Sequence, residues 1–257
     1  MRDVRGVLLD VDGVLHDGRA AIPGALEAVA GLRERSDGLA FLTNTTTRSR
    51  SGILRQLRDL GFDVADDELV TPAGIAVAAC RERGLQRVAL LVSDALREDL
   101  GALDDVGLEA APQAVVLGDT GHGFDVPTLN GAFRALMDGA QLIALGHNRY
   151  YARPEGLIMD VGAWSAALEY AADVQALVVG KPSAAFFAAA LAAIGVPPQE
   201  TVMVGDDVEA DVGGALEAGL HGVLVRTGKY RPELVESSGW RPTATVDSIA
   251  DVPGLLG

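Results

Sequence analysis

Short apolar runs recur along this 257-residue chain at 6–9, 39–43, 88–92, 114–117, 142–145, 177–179, 201–204 and 222–225. Each is bounded by polar or turn-forming residues. Runs of this length that are continuously apolar, not alternating, predict strands buried on both faces. Between them, apolar residues return at helical spacing near 24–35, 48–60, 72–83, 95–101, 127–138, 162–172, 183–194 and 208–218. Strands alternating with helices of this length predict βαβ units, hence an α/β fold with a mostly parallel sheet. The longest apolar stretch, 184–196, is too short and too rich in alanine to cross a bilayer, so it predicts a buried helix. No solenoid repeat, heptad or low-complexity tail interrupts the pattern.

The polar residues matter most where the strands run out. In a parallel α/β sheet, ligands bind at the carboxyl ends of strands. Four such ends carry chemistry. After the run 6–9 come Asp10-Val11-Asp12-Gly13, two carboxylates two residues apart beside a glycine. This reads either as a polar strand cap or as a metal or nucleophile site; an EF-hand is excluded, since its fifth, sixth and twelfth positions would be Val14, Leu15 and Ala21. The second end, Thr43-Asn44-Thr45-Thr46-Thr47-Arg48-Ser49, masses hydroxyls and an amide before a helix N-terminus, where backbone N–H groups favour an anion. One hydroxyl would suffice for an N-cap. The third, Val179-Gly180-Lys181-Pro182-Ser183, sets a lysine between strand and helix. The fourth, Gly205-Asp206-Asp207-Val208-Glu209-Ala210-Asp211, is glycine followed by clustered acids. Asp207 and Asp211 are four apart and would share a helix face, unless one only caps the helix. Carboxylates converging in such number imply a hard cation, Mg²⁺.

Composition narrows the rest. With 21 basic against 36 acidic residues, the net charge of −15 opposes a nucleic-acid backbone. Aromatics make up only 5% of the chain, so the core must be built from Ala, Val and Leu. Arginine supplies almost all the positive charge, since Lys181 and Lys229 are the only lysines. One cysteine, Cys80, cannot form an intrachain disulfide; together with the lack of a visible secretory signal, it leads us to expect a cytoplasmic protein with no membrane partner. No Gly-x-Gly-x-x-Gly follows a strand, Gly121-His122-Gly123 lacking the third glycine, and no Walker loop occurs. His16, His122 and His221 lack zinc-ligand spacing.

Taken in order, the four segments resemble the motifs of the haloacid dehalogenase-like phosphatase superfamily. The long stretch between Thr43-Asn44 and Lys181 is similar to the class with an α/β cap inserted there, subfamily IIA. More narrowly, Gly146-His147-Asn148-Arg149-Tyr150-Tyr151, Gly156-Leu157, Ala167-Leu168-Glu169-Tyr170 and Arg226-Thr227-Gly228-Lys229-Tyr230-Arg231-Pro232 resemble its phospholysine phosphohistidine inorganic pyrophosphate phosphatase branch. Some members of that branch carry Ser at the position of Asp12, and Asp there sets this chain nearer the ordinary phosphomonoesterases.

The resemblance implies a Rossmann-like parallel sheet core from residues 1–83 and 179–257, with a smaller inserted α/β cap at 84–178. It implies that Asp10 is the nucleophile and Asp12 the general acid/base, and that Thr43, Asn44 and Lys181 bind the transferring phosphoryl group. Asp10, Asp12 (through its carbonyl) and Asp206 would hold Mg²⁺, with Asp207 and Asp211 around it. A cap loop with His147, Asn148 and Arg149 would meet a small phosphorylated substrate, while Tyr150 and Tyr151 either join it or pack the cap. Caps of this class also pair homodimers. Two rivals share these residues: a phosphotransferase, and a non-catalytic phospho-receiver, in which Asp12 would be superfluous and which would have no cap.

Overall fold

The computed structural model of the chain describes residue 1 and residues 3–120, 123–153 and 156–256; His122 and the side chain of Tyr151 fall outside it. The chain divides into two compact units: Met1–Thr43, Ile53–Val70 and Lys181–Gly257 form the first, and Asn44–Gly52 with Thr71–Gly180 the second.

The first unit is built on β1 (Gly6–Asp10), β2 (Gly38–Leu42) and β3 (Leu69–Val70). The second carries β4 (Arg87–Leu91), β5 (Asp104–Asp105), β6 (Ala114–Leu117), β7 (Gln141–Ala144), β8 (Tyr150–Arg153), β9 (Gly156–Met159) and β10 (Leu177–Val178). The chain then returns to the first unit for β11 (Thr201–Gly205), β12 (His221–Val225) and β13 (Ala244–Val246). The first unit's sheet runs β13-β12-β11-β1-β2-β3, parallel throughout. From β1 the chain builds outward through β2 and β3, and later returns to build the other way. The point of reversal is therefore the β1/β11 pair, where a doubly wound sheet opens a crevice at its carboxyl edge. Register sets Leu9 beside Val204, so Asp10 ends its strand next to Gly205.

Side-chain alternation decides the packing. Val7, Leu9, Leu39, Phe41, Val202, Val204, Val223 and Val225 point to one face and join a buried cluster. Residues of α1 (Ala25–Arg35), α2 (Arg50–Asp59) and the 3₁₀ segment Ile249–Leu255 complete it. These strand residues are almost all branched aliphatics, which suit a pleated surface covered on both sides.

In the second unit, β10-β7-β6-β4-β5 form a parallel sheet and β8-β9 an antiparallel hairpin. Its helices are α3 (Pro72–Glu82), α4 (Asp94–Arg97), α5 (Val126–Met137) and α6 (Val161–Ala172). α5 and α6 close over Val115, Leu117, Leu142 and Ala144, and Trp164 meets Phe124 edge-on at 5.7 Å. The apolar run before Lys181 is an edge strand of this second sheet. The segment Asn44–Gly52 is tied to the same unit: Thr46 Oγ1 accepts the Asp119 N–H at 3.3 Å, and Asp99 accepts the Arg50 N–H at 2.7 Å. Ser49 Oγ accepts the Gly52 N–H at 3.2 Å and caps α2. Two hydroxyls of the expected anion cradle thus serve structure.

The remaining helices of the first unit are α7 (Ala184–Ile194), α8 (Gly214–Glu217) and α9 (Pro232–Ser238). Ser183 caps α7 by accepting the Phe186 N–H, and Gly195 closes it in the left-handed conformation. Among the described residues, no helix is long and apolar enough to cross a membrane.

Phe41 is fully buried on the central face. Phe41→Ala is expected to cost about 3–5 kcal/mol, read as a lowered urea midpoint.

Candidate active site

Asp10 sits where β1 leaves the sheet, and Asp206 where β11 does. Both are buried, as are Asp211 and Lys181. Lys181 Nζ donates to Asp10 Oδ1 at 2.5 Å and to Asp211 Oδ1 at 2.7 Å. One ligand oxygen from each of Asp10, Asp206 and Asp211 lies within 4.8 Å of the others. Two of these three carboxylates thus share one enclosed ammonium.

The helix after β11 departs from the expected regular helix over 208–218. Its first part, Val208–Gly213, is a π-helical turn running into α8; such wide turns are rare and gather at functional sites. Asp207 and Asp211 therefore do different work. Asp207 caps the turn, Oδ1 accepting the N–H groups of Glu209 and Ala210 at 3.0 Å each. Asp211 turns inward, Oδ2 accepting the Asp207 N–H at 3.1 Å while Oδ1 receives Lys181.

Asp12 occupies a different position from the buried acids. Its Oδ2 accepts from Thr43 Oγ1 at 3.3 Å and its Oδ1 lies 3.9 Å from His16 Nε2. The buried His16 accepts the Gly18 N–H at Nδ1, which leaves the proton on Nε2, toward Asp12. Thr43 is buried in the first unit. Asn44 belongs to the second, where its Oδ1 lies beside Gly180.

In the second unit, His147, Asn148 and Arg149 lie between β7 and β8. Their backbone is pinned to the start of α6: Gly162 N–H donates to Asn148 O at 2.9 Å and Asp160 N–H to Arg149 O at 3.0 Å. The Arg149 guanidinium rests 6.0 Å over the exposed Tyr150 ring, a cation–π contact.

One group of residues was not gathered from the sequence. The loop after β12 closes onto the acids: Thr227 Oγ1 donates to Gly13 O at 2.5 Å, and the Lys229 N–H to Asp206 Oδ2 at 2.7 Å. Gly13 and Gly228, both at positive φ, face each other, and a Cβ on either would run into the Asp206 carboxyl. The signal was present in Val225-Arg226-Thr227-Gly228-Lys229, which repeats the strand-glycine-lysine order of Val179-Gly180-Lys181.

Burial pushes the Asp10 carboxyl well above the usual range; Lys181 opposes this, and Asp211 and Asp206 add to it. Asp206 is pushed up to about 7, first by burial and then by Asp211, against the Lys229 N–H. Burial alone would lower Lys181, but Asp10 and Asp211 outweigh it and raise its pKa. A hard cation fits here. Asp206 Oδ1 is buried with no hydrogen-bond partner among the described residues, and the donors are the carboxylate oxygens that Mg²⁺ takes.

Comparison with known proteins identifies the family. The family model described as haloacid dehalogenase-like hydrolase matches residues 7–109, and a second, described as HAD-hydrolase-like, matches 178–252. The chain is 42% identical over 259 residues to the human phospholysine phosphohistidine inorganic pyrophosphate phosphatase, covering 98% of this chain and 94% of that protein. It is 44% identical over 247 residues to the human haloacid dehalogenase-like hydrolase domain-containing protein 2, covering 96% and 93%. Among solved structures, a p-nitrophenyl phosphatase from Archaeoglobus fulgidus superposes with a TM-score of 0.91 at 28% identity, over 99% of this chain and all of that one. The chain belongs to the haloacid dehalogenase-like hydrolase family. Its enzymatic class is that of the family's phosphatases, on an α/β, Rossmann-like fold.

The Asp206 shift gives a pH signature. With a folded value near 7 against the ordinary 3.8, the folded state holds this proton more tightly than the unfolded one. Its contribution is fully present below 3.8 and lost as pH rises through about 7. Metal-free protein is expected to lose thermal stability across that window, and Asp206→Asn to flatten the dependence. Calorimetry with a chelator checks both.

Proposed function

We propose that this protein is a Mg²⁺-dependent phosphatase that hydrolyses a small phosphorylated metabolite, pyrophosphate or phosphoamide through an aspartyl phosphate on Asp10. The observation that carries this reading is the meeting of Asp10, Asp206, Asp211 and Lys181 at the carboxyl edge of a parallel sheet. The names of these relatives, which concern phospholysine, phosphohistidine, pyrophosphate and p-nitrophenyl phosphate, support the same substrate range.

Asp10 and Asp206, with the backbone carbonyl of Asp12, would hold Mg²⁺, and Asp207 and Asp211 would support the site. The cation supplies positive charge to carboxylates that otherwise repel one another and to a phosphate oxygen. Asp10 Oδ attacks phosphorus, forming an O–P bond as the bond to the leaving atom breaks. Asp12 delivers a proton to that leaving atom. Water then attacks the aspartyl phosphate, giving its proton to Asp12, and the O–P bond to Asp10 breaks to release phosphate. Dividing one displacement into two lowers each barrier. Thr43, Asn44 and Lys181 bind the transferring oxygens, where the spread charge needs stabilising. Lys181 opposes the burial that raises the Asp10 carboxyl, and so favours the ionised form that attack requires. On the same proposal the second unit would be the cap, and His147, Asn148 and Arg149 its substrate-contacting residues.

Asp10→Asn is expected to lower Mg²⁺-dependent hydrolysis of p-nitrophenyl phosphate by at least about a thousandfold. Wild-type-like turnover would remove Asp10 from the nucleophile's role. Asp12→Asn is expected to lower kcat by about a hundredfold to ten-thousandfold. Chelation should abolish wild-type activity and added Mg²⁺ should restore it; activity that persists in chelator would exclude the metal.

A further inference from the structure

The loop Arg226-Thr227-Gly228-Lys229-Tyr230-Arg231 brings three cations to the carboxyl edge of the sheet in a chain of net charge −15. Two are engaged away from the acids. Arg226 Nη1 donates to Asp247 at 2.6 Å. Arg231 Nη1 folds back onto the carbonyls of Tyr230 at 2.6 Å and Gly228 at 3.4 Å.

Lys229 is held differently. Its backbone N–H is fixed to Asp206 Oδ2, and the loop is anchored by Thr227 on Gly13 O. Its Nζ stands 3.7 Å from Asp207 Oδ2, with the side chain 61% exposed. That separation is too long for a hydrogen bond, and an exposed pair of this kind adds little stability. The ammonium is thus rooted at the acid cluster and open to solvent. The other lysine, Lys181, is buried between Asp10 and Asp211.

We propose that Lys229 is a specificity-determining residue that pairs with a second anionic group on the leaving side of the substrate. It would favour phosphate monoesters whose leaving group carries a carboxylate or phosphate over those with a neutral one. The proposal rests on the phosphatase reading given above. A bidentate fork is not needed for this task, since a flexible point charge on a long stem accommodates anions of different shape.

The test uses two esters that differ by one charge, phenyl phosphate and 4-carboxyphenyl phosphate, with wild type, Lys229→Met and Lys229→Arg. The ring substituent also alters the leaving oxygen, but equally for every variant, so the informative quantity is the change in the ratio of kcat/KM. In Lys229→Met the preference for the carboxylated ester is expected to fall about fivefold, mainly through KM, the size of one partly screened ion pair. Lys229→Arg should restore it, and added salt should erode it in wild type.

An unchanged ratio in Lys229→Met overturns the proposal, as does an equal loss on both esters, which would make the side chain a counter-charge for Asp207. A thermal melt of each variant separates either result from misfolding, in which case Lys229→Arg alone decides through its ratio and salt dependence. Wild type that hydrolyses neither ester with Mg²⁺ overturns the phosphatase reading and this proposal together. Hydrolysis with an invariant ratio overturns only the role of Lys229.

Discussion

Lys181, enclosed between Asp10 and Asp211, sets the terms for everything around it. Taking a carboxylate out of water costs several kcal/mol unless a partner compensates, and here three carboxylates are buried against a single ammonium. Burial first, and then the neighbouring acids, make both Asp10 and Asp206 hold their protons more tightly than a solvated acid. The fold thereby gathers carboxylate oxygens at one enclosed point, the donor set that a divalent cation would take. The sheet makes the arrangement reproducible: β1 and β11 are hydrogen-bonded neighbours in fixed register, so their terminal acids meet without depending on a flexible loop.

Strands β1, β2, β11 and β12 of the first sheet were legible because each is an unbroken apolar run, a pattern with few other readings. The elements that escaped are those whose burial is partial or whose length is minimal. β3 and β5 pair over only two residues. β13 is half-exposed, and the β8-β9 hairpin carries an exposed Tyr150 and Met159. None has a periodicity strong enough to stand out. The apolar run 177–179 was rightly read as strand, but a one-dimensional pattern does not say which sheet it joins.

The acids divide in the same way. That Asp10, Asp206 and Lys181 belong together followed from their places at strand ends. The separation of Asp207 from Asp211 did not, because four-residue spacing implies a shared face only in a regular helix. The π-turn breaks that assumption, and its cause is tertiary: Asp211 is held by Lys181 and by the Asp207 N–H, partners remote in sequence or hidden in backbone geometry. Likewise, nothing in the composition of the loop after β12 says that its backbone reaches Asp206. That contact depends on the pairing of β12 with β11.

Gly13 and Gly228 stand 215 positions apart in the chain, yet a side chain on either would enter the space of the same Asp206 carboxyl. Divergence at these two sites is therefore coupled. A first substitution displaces the carboxyl, and a second cannot relieve it, because both intrude on the same volume. The two turns can drift only as a joined pair. Over many generations such a chain should change what it recognises more readily than how it holds its acids. The fixed pair of glycines marks the boundary between those two rates of change.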